Sequence, residues 1–127
     1  MTMLSEKENV MRLEIRSRGL KVPSELRVHL RERLRVALGR FARAIDRVRV
    51  YLRDKTEPRD GLSKKCRIVV DLHRRGSVVV TGENADIFAV IARTANRAGF
   101  AVKRHVKRRL ARRRPPRRPA PAASTME

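Results

Sequence analysis

A chain of 127 residues holds one domain of ordinary size plus a short tail. Its 33 Lys and Arg against 13 Asp and Glu leave a formal net charge of +20, which points to a polyanionic partner, nucleic acid first. Aromatic residues at 3% with no Trp exclude a fold that reads single strands on a row of stacked rings, and no apolar run approaches the ~20 residues of a membrane span.

Residues 1–9 carry Glu6 and Glu8 and no apolar stretch, so they read as a flexible leader and not as a secretory signal. Met11, Leu13 and Ile15 then alternate with Arg12, Glu14 and Arg16, the pattern of a half-buried strand. Gly19 and Pro23 punctuate the chain, and Ser24 is placed to cap a helix beginning at Glu25. Leu26, Leu30, Leu34, Ala37, Leu38, Phe41 and Ile45 recur at helical spacing, which predicts an amphipathic helix to about Ala44. Arg27, Arg31 and Arg35 form a second stripe on another face.

A second strand follows, with Val48, Val50 and Leu52 alternating with Arg47, Arg49, Tyr51 and Arg53. The charged segment 54–65 contains Pro58 and Gly61 and reads as a loop. Cys66, Ile68, Val70 and Leu72 mark a third strand, and Arg74-Arg75-Gly76 a tight connection in which Gly76 supplies positive φ. Val78 to Val80 form a fourth strand, with Gly82 ending it. Asn84 or Asp86 caps a last helix whose apolar stripe is Phe88, Ile91, Ala95, Ala98, Val102, Val106 and Leu110. Gly99 inside it costs about 1 kcal/mol relative to Ala, or else lets another element approach closely.

The order β-α-β-β-β-α predicts an α+β domain over residues 10–112, a four-stranded sheet with two helices packed on one face. Arginine stripes on the helices' outward sides would turn the seam between them into a basic groove. A double-stranded RNA-binding domain has a similar order. Its lysine cluster at the start of the last helix is missing here, where Gly82-Glu83-Asn84-Ala85-Asp86 is acidic.

The charge is polarised. No acid occurs between Ile87 and Met126, a stretch that holds Arg93, Arg97, Lys103, Arg104, Lys107 and Arg108. Its end, 113–127, is rich in Arg, Pro and Ala and reads as a disordered basic tail offering further contacts to nucleic acid. A solvated helix face normally mixes signs, whereas like charges four apart repel. Keeping them implies a use, and phosphate binding is the obvious one. Tyr51 and Phe100 are the aromatics outside the apolar stripes; either could stack on a base, and rim packing is the plainer reading. Phe41 and Phe88 are expected in the core.

Nothing marks an enzyme. His29, His73 and His105 are far apart in sequence, and there is no Walker loop, GxGxxG or HExxH. Cys66 alternates with core residues and reads as a buried thiol, and no zinc-like spacing or cofactor motif occurs. The charge pattern alone leaves a general RNA- or DNA-binding protein as one reading.

Four stretches together resemble a known family: Met11-Arg12-Leu13-Glu14-Ile15, Val22-Pro23-Ser24-Glu25-Leu26-Arg27, Val48-Arg49-Val50-Tyr51-Leu52, and Asp86-Ile87-Phe88-Ala89-Val90-Ile91. In order and spacing they are similar to the ribosome hibernation-promoting and ribosome-associated inhibitor proteins, the sigma-54 modulation or S30EA family, in its short form. The resemblance implies a non-enzymatic βαβββα domain; with no secretory signal, zinc-like spacing or cofactor motif, a cytoplasmic protein without cofactor or metal, monomeric off the ribosome, is expected. By the resemblance it would bind the rRNA of the small ribosomal subunit in the mRNA and tRNA channel and block translation during stress or stationary phase. The resemblance also implies basic contacts at Arg27 and Arg33 on the first helix and at Arg97, Arg104 and Arg108 on the second. Residue reading and resemblance together make the expected RNA-binding set Arg27, Arg31, Arg33, Arg35, Arg93, Arg97, Lys103, Arg104, Lys107 and Arg108.

Overall fold

The computed structural model describes residues 12–57, 61–74 and 76–113. Strand β1 (Arg12–Arg18) leads into helix α1 (Ser24–Leu38) and a 3-10 segment (Gly39–Ala44). Strands β2 (Ile45–Glu57), β3 (Gly61–Leu72) and β4 (Ser77–Asn84) follow, and helix α2 (Ile87–Arg113) closes the order β-α-β-β-β-α. The sheet order is β1-β2-β3-β4. β1 runs parallel to β2, while β2–β3 and β3–β4 are antiparallel. The α+β architecture expected from the pattern is therefore the one found. The expected leader and most of the basic tail lie outside the described residues.

Alternation gives the sheet two unlike faces. One buries Val48, Val50 and Leu52 of β2, Cys66, Ile68 and Val70 of β3, and Val78 of β4. Leu26, Leu30, Leu34 and Leu38 of α1 and Val90, Ile91, Ala95, Ala98 and Val102 of α2 join them in a single core. The opposite face carries Arg47, Arg49, Tyr51 and Arg53 in phase on β2, and Lys65, Arg67 and Asp71 on β3.

Several boundaries differ from expectation for identifiable reasons. Ser24 is the first helical residue and makes no cap; the Pro23 carbonyl instead accepts from the Leu26 and Arg27 amides at 3.0 and 3.1 Å. The α-helix stops at Leu38, and the predicted last turn is the 3-10 segment starting at Gly39. The supposed loop 54–65 is mostly strand, because β2 and β3 extend as a long hairpin in which Asp54 pairs with Lys64. Those two side chains form an ion pair at 3.1 Å, so this pair of charges is satisfied across the ladder. Gly82 lies within β4, opposite Cys66, and does not end it.

The β3–β4 turn has the positive φ expected at Gly76 (60°), with a second at Arg74 (70°). The start of α2 is capped as read. The Asp86 carboxylate accepts from the Phe88 amide at 2.9 Å and the Ala89 amide at 3.4 Å, while Asn84 accepts from the Asp86 amide at 2.9 Å.

Gly99 owes its place to close approach. A β-carbon there would stand 2.8 Å from the Ala37 carbonyl oxygen, so the small pair Ala37/Gly99 brings the backbones of α1 and α2 together. Two to three turns away along the same seam the His29 ring meets Phe88 edge-on, with centroids 4.9 Å apart, and His29 Nε2–H donates to the Phe88 carbonyl at 3.1 Å. Phe88, expected in the core, is 43% exposed and sits at the rim of this seam.

Candidate nucleic-acid interface

The seam fixes where the cations go. His29 and Ala37 of α1 face α2, and Arg33, four residues from each, shares that side. At 3.6 residues per turn, Arg27, Arg31 and Arg35 stand on the opposite side, away from α2. On α2, Phe88 and Gly99 face α1, while Arg93, Arg97, Arg104 and Arg108 stand on the far flank. Arg97 confirms the direction by donating to the Thr81 carbonyl of β4. Lys103 and Lys107 point outward between the seam and that flank. The arginine stripes therefore do not line the seam, as the expected groove required. Small residues close the seam, and the two arginine stripes flank the helical layer on opposite sides.

All the expected site residues except Arg33 are exposed. Arg33 is half-buried, and its Nε is enclosed without a hydrogen-bond partner, which makes it a seam residue. Arg35 is engaged with Glu32 one turn earlier, through contacts of 2.5 and 3.3 Å. This bond draws the Glu32 carboxyl below its ordinary pKa and raises Arg35. Arg27, Arg31, Arg93, Lys103, Arg104, Lys107 and Arg108 have no acid partner among the described residues. Val28, Val36 and Phe100 are also exposed on these helices, so the cationic surface carries apolar points. Its chemistry suits phosphate groups, which take charge and hydrogen bonds from guanidinium and ammonium.

Nothing among the described residues gathers three or more His, Cys, Asp or Glu side chains that could hold a metal. Burial pushes the Cys66 thiol up to about 12, with the Thr94 hydroxyl opposing weakly, so this sulfur stays protonated and inert. No described helix is long and apolar enough to cross a membrane.

Sequence reasoning centred on the helices and took from the open face of the sheet only Tyr51, as an aromatic that could stack on a base. The arginines of that face divide into two groups. At one end Asp71 accepts from Arg47 Nε, Arg49 Nε and Arg49 Nη2, each at 2.9 Å, and from the Ser77 hydroxyl at 2.6 Å; Glu14 accepts from Arg47 at 3.2 Å. Burial alone would raise the Asp71 carboxyl. The hydrogen bonds from Arg49, Ser77 and Arg47 outweigh it and hold the group at about 2. At the other end Arg16, Arg18, Arg53, Lys65 and Arg67 surround Tyr51 and line an open depression of about 540 Å³. The signal was the period-two run of arginines in the strands, legible once the pairing of β1, β2 and β3 is known.

Residues 13–110 match the family model described as sigma 54 modulation protein / S30EA ribosomal protein. Among solved structures, the chain is similar to the N-terminal domain of Protein Y from Thermus thermophilus, at 26% identity and a TM-score of 0.63, covering 75% of this chain and 99% of that one. It is also similar to a ribosomal subunit interface protein from Coxiella burnetii, at 13% identity and a TM-score of 0.63, covering 76% and 99% respectively, a likeness of fold. No curated protein matches the chain in sequence.

Proposed function

The chain belongs to the sigma-54 modulation/S30EA ribosomal protein family, and from that premise we propose that it is a ribosome-associated hibernation factor. It binds the rRNA of the small ribosomal subunit in the channel used by mRNA and tRNA, and so holds translation off under stress or in stationary phase. It does so in the cytoplasm, as a binding protein and not as an enzyme. The observation that carries the reading is the outer surface of α1 and α2. There seven exposed cations stand without acid partners among the described residues, on the domain that matches the family. Phosphates of folded rRNA would meet the two flanking stripes, and Val28, Val36 and Phe100 would meet sugar or base surfaces between them.

A second reading, a general nucleic-acid binder, is favoured by one observation: the formal charge of +20 is not confined to the helices. The two separate on mutation. Arg104 and Arg108 are exposed and unpaired, so R104E/R108E should leave thermal stability within about 0.5 kcal/mol, as for surface changes generally. The same change should weaken binding to purified small subunits at least tenfold while weakening binding to unstructured RNA less. Equal losses on both would favour the general binder. Unchanged subunit binding would remove the helical surface from the account.

A further inference from the structure

The open face of the sheet presents a second cationic site, on the side away from the helices. Register places its members side by side. Arg16 of β1, Tyr51 of β2 and Arg67 of β3 are consecutive neighbours in one row, and Arg18, Arg53 and Lys65 in the next. Alternation sends all six to the uncovered face. Directly along the same strands, Arg47 and Arg49 are neutralised by Asp71 and Glu14. The six-residue end has no such partner: Arg16, Arg18, Arg53 and Lys65 form no ion pair among the described residues. Glu83 of β4 is the acid in register with it, across from Lys65, and stands at its border. One face of one sheet therefore holds a neutralised half and a cationic half. Fold stability does not require the second half to be this cationic, since adjacent like charges across strands are unfavourable.

Tyr51 gives the cluster a use beyond charge. It is the chain's single tyrosine, half-exposed at the centre of the depression. Arg67 stands over the ring at 5.7 Å, and Arg49 Nη1 reaches the hydroxyl at 3.5 Å. An aromatic face ringed by guanidinium groups is the combination that holds an unpaired base with its phosphates. A membrane headgroup or an acidic peptide would use the charge and leave the ring idle.

We propose that this end of the open face binds a single RNA strand, one base stacking on Tyr51 and the adjoining phosphates resting on Arg16, Arg18, Arg53, Lys65 and Arg67. The site is separate from the helical surface proposed above for rRNA. Bound at both, the domain would lie between two RNA segments.

With no Trp and one Tyr, the intrinsic emission of the full chain reports on Tyr51 alone. Titration with an eight-residue oligouridylate should quench that emission saturably, and inorganic polyphosphate at equal phosphate concentration should not. By anisotropy of labelled oligouridylate, Y51F should bind within twofold of the unmodified chain. Y51L should bind roughly fivefold to a hundredfold more weakly, the range for losing one stacked base. R16S/R67S should lower the salt dependence by about 0.7 in log–log slope for each phosphate contact removed. The quench should persist in R104E/R108E, whose helical surface is disabled, so failure here and failure of the rRNA reading are distinguishable. Unchanged emission at saturation, Y51L binding as Y51F does, or loss of the quench in R104E/R108E would each overturn the proposal. So would equal quenching by polyphosphate, which would reduce the depression to an anion site.

Discussion

At the scale of single residues, Asp71 is the group on which the neutralised half of the sheet depends. Its folded-state pKa lies at about 2 against an ordinary value of 3.8, so the unfolded chain binds the proton more readily between those limits. Stability from this carboxylate is therefore complete above the ordinary value and is lost as pH falls towards about 2. Asp71→Asn should cost about 1–3 kcal/mol near neutral pH, the range for losing charge-assisted hydrogen bonds. The gap in thermal midpoint between D71N and the unmodified chain should hold from pH 7 to pH 5 and close between about pH 4 and pH 2. A gap independent of pH would show that packing, not charge, is at stake. None of this was legible in the sequence, where Asp71 is simply an outward residue of a strand. Only the β1–β2–β3 register brings Glu14, Arg47, Arg49 and Ser77 around it. Arg33, which the resemblance marks as a basic contact, stands four residues from His29 and from Ala37 and so on the side of α1 that meets α2. A stripe position was readable from the periodicity, but not which side of α1 the second helix would cover.

At the scale of elements, the helix pair is set by its smallest residues. Gly99→Ala would gain about 1 kcal/mol of intrinsic helix propensity. The new β-carbon would meet the backbone oxygen of Ala37 at 2.8 Å, which no rotamer change relieves. Displacing packed backbone costs typically 1–3 kcal/mol, so the net sign should be destabilising. Chemical denaturation with an unchanged m-value would measure it, and a stabilised G99A would mean that the helices are free to move apart. The sequence offered both readings of Gly99, helix defect or close approach, and the α1–α2 contact selects the second. Helices and the Asp86 cap were legible because 3.6-residue periodicity and capping are local signals. The long β2–β3 hairpin was not, because Asp54 and Lys64 look like loop residues until the ladder sets them 3.1 Å apart. Cys66 was read correctly as a buried thiol, since strand alternation alone decides which face it takes.

At the scale of the whole molecule, charge is organised by layer. The interior between sheet and helices is apolar, the outer helical surface is cationic on both flanks, and the open sheet face is cationic at one end and neutralised at the other. Excess charge of one sign disfavours the compact state through self-repulsion and favours association with polyanions. Counterion release then gives any nucleic acid some affinity, with a log–log salt slope of about −0.7 to −0.9 per phosphate contact. Charge by itself therefore cannot make the domain select a ribosome. Selection would come from geometry: two arginine stripes held at a fixed spacing by the Ala37/Gly99 seam, matched to phosphates of a folded RNA. Such matching must add to the electrostatic term if the domain is to select a ribosome. Sedimentation of the purified chain with small ribosomal subunits, at physiological salt and under a large excess of unstructured RNA, tests it most directly. A stoichiometric complex with the subunit should persist through the competition. Complete removal by the competitor would contradict it and leave a basic protein whose fold is that of the family and whose binding is charge alone.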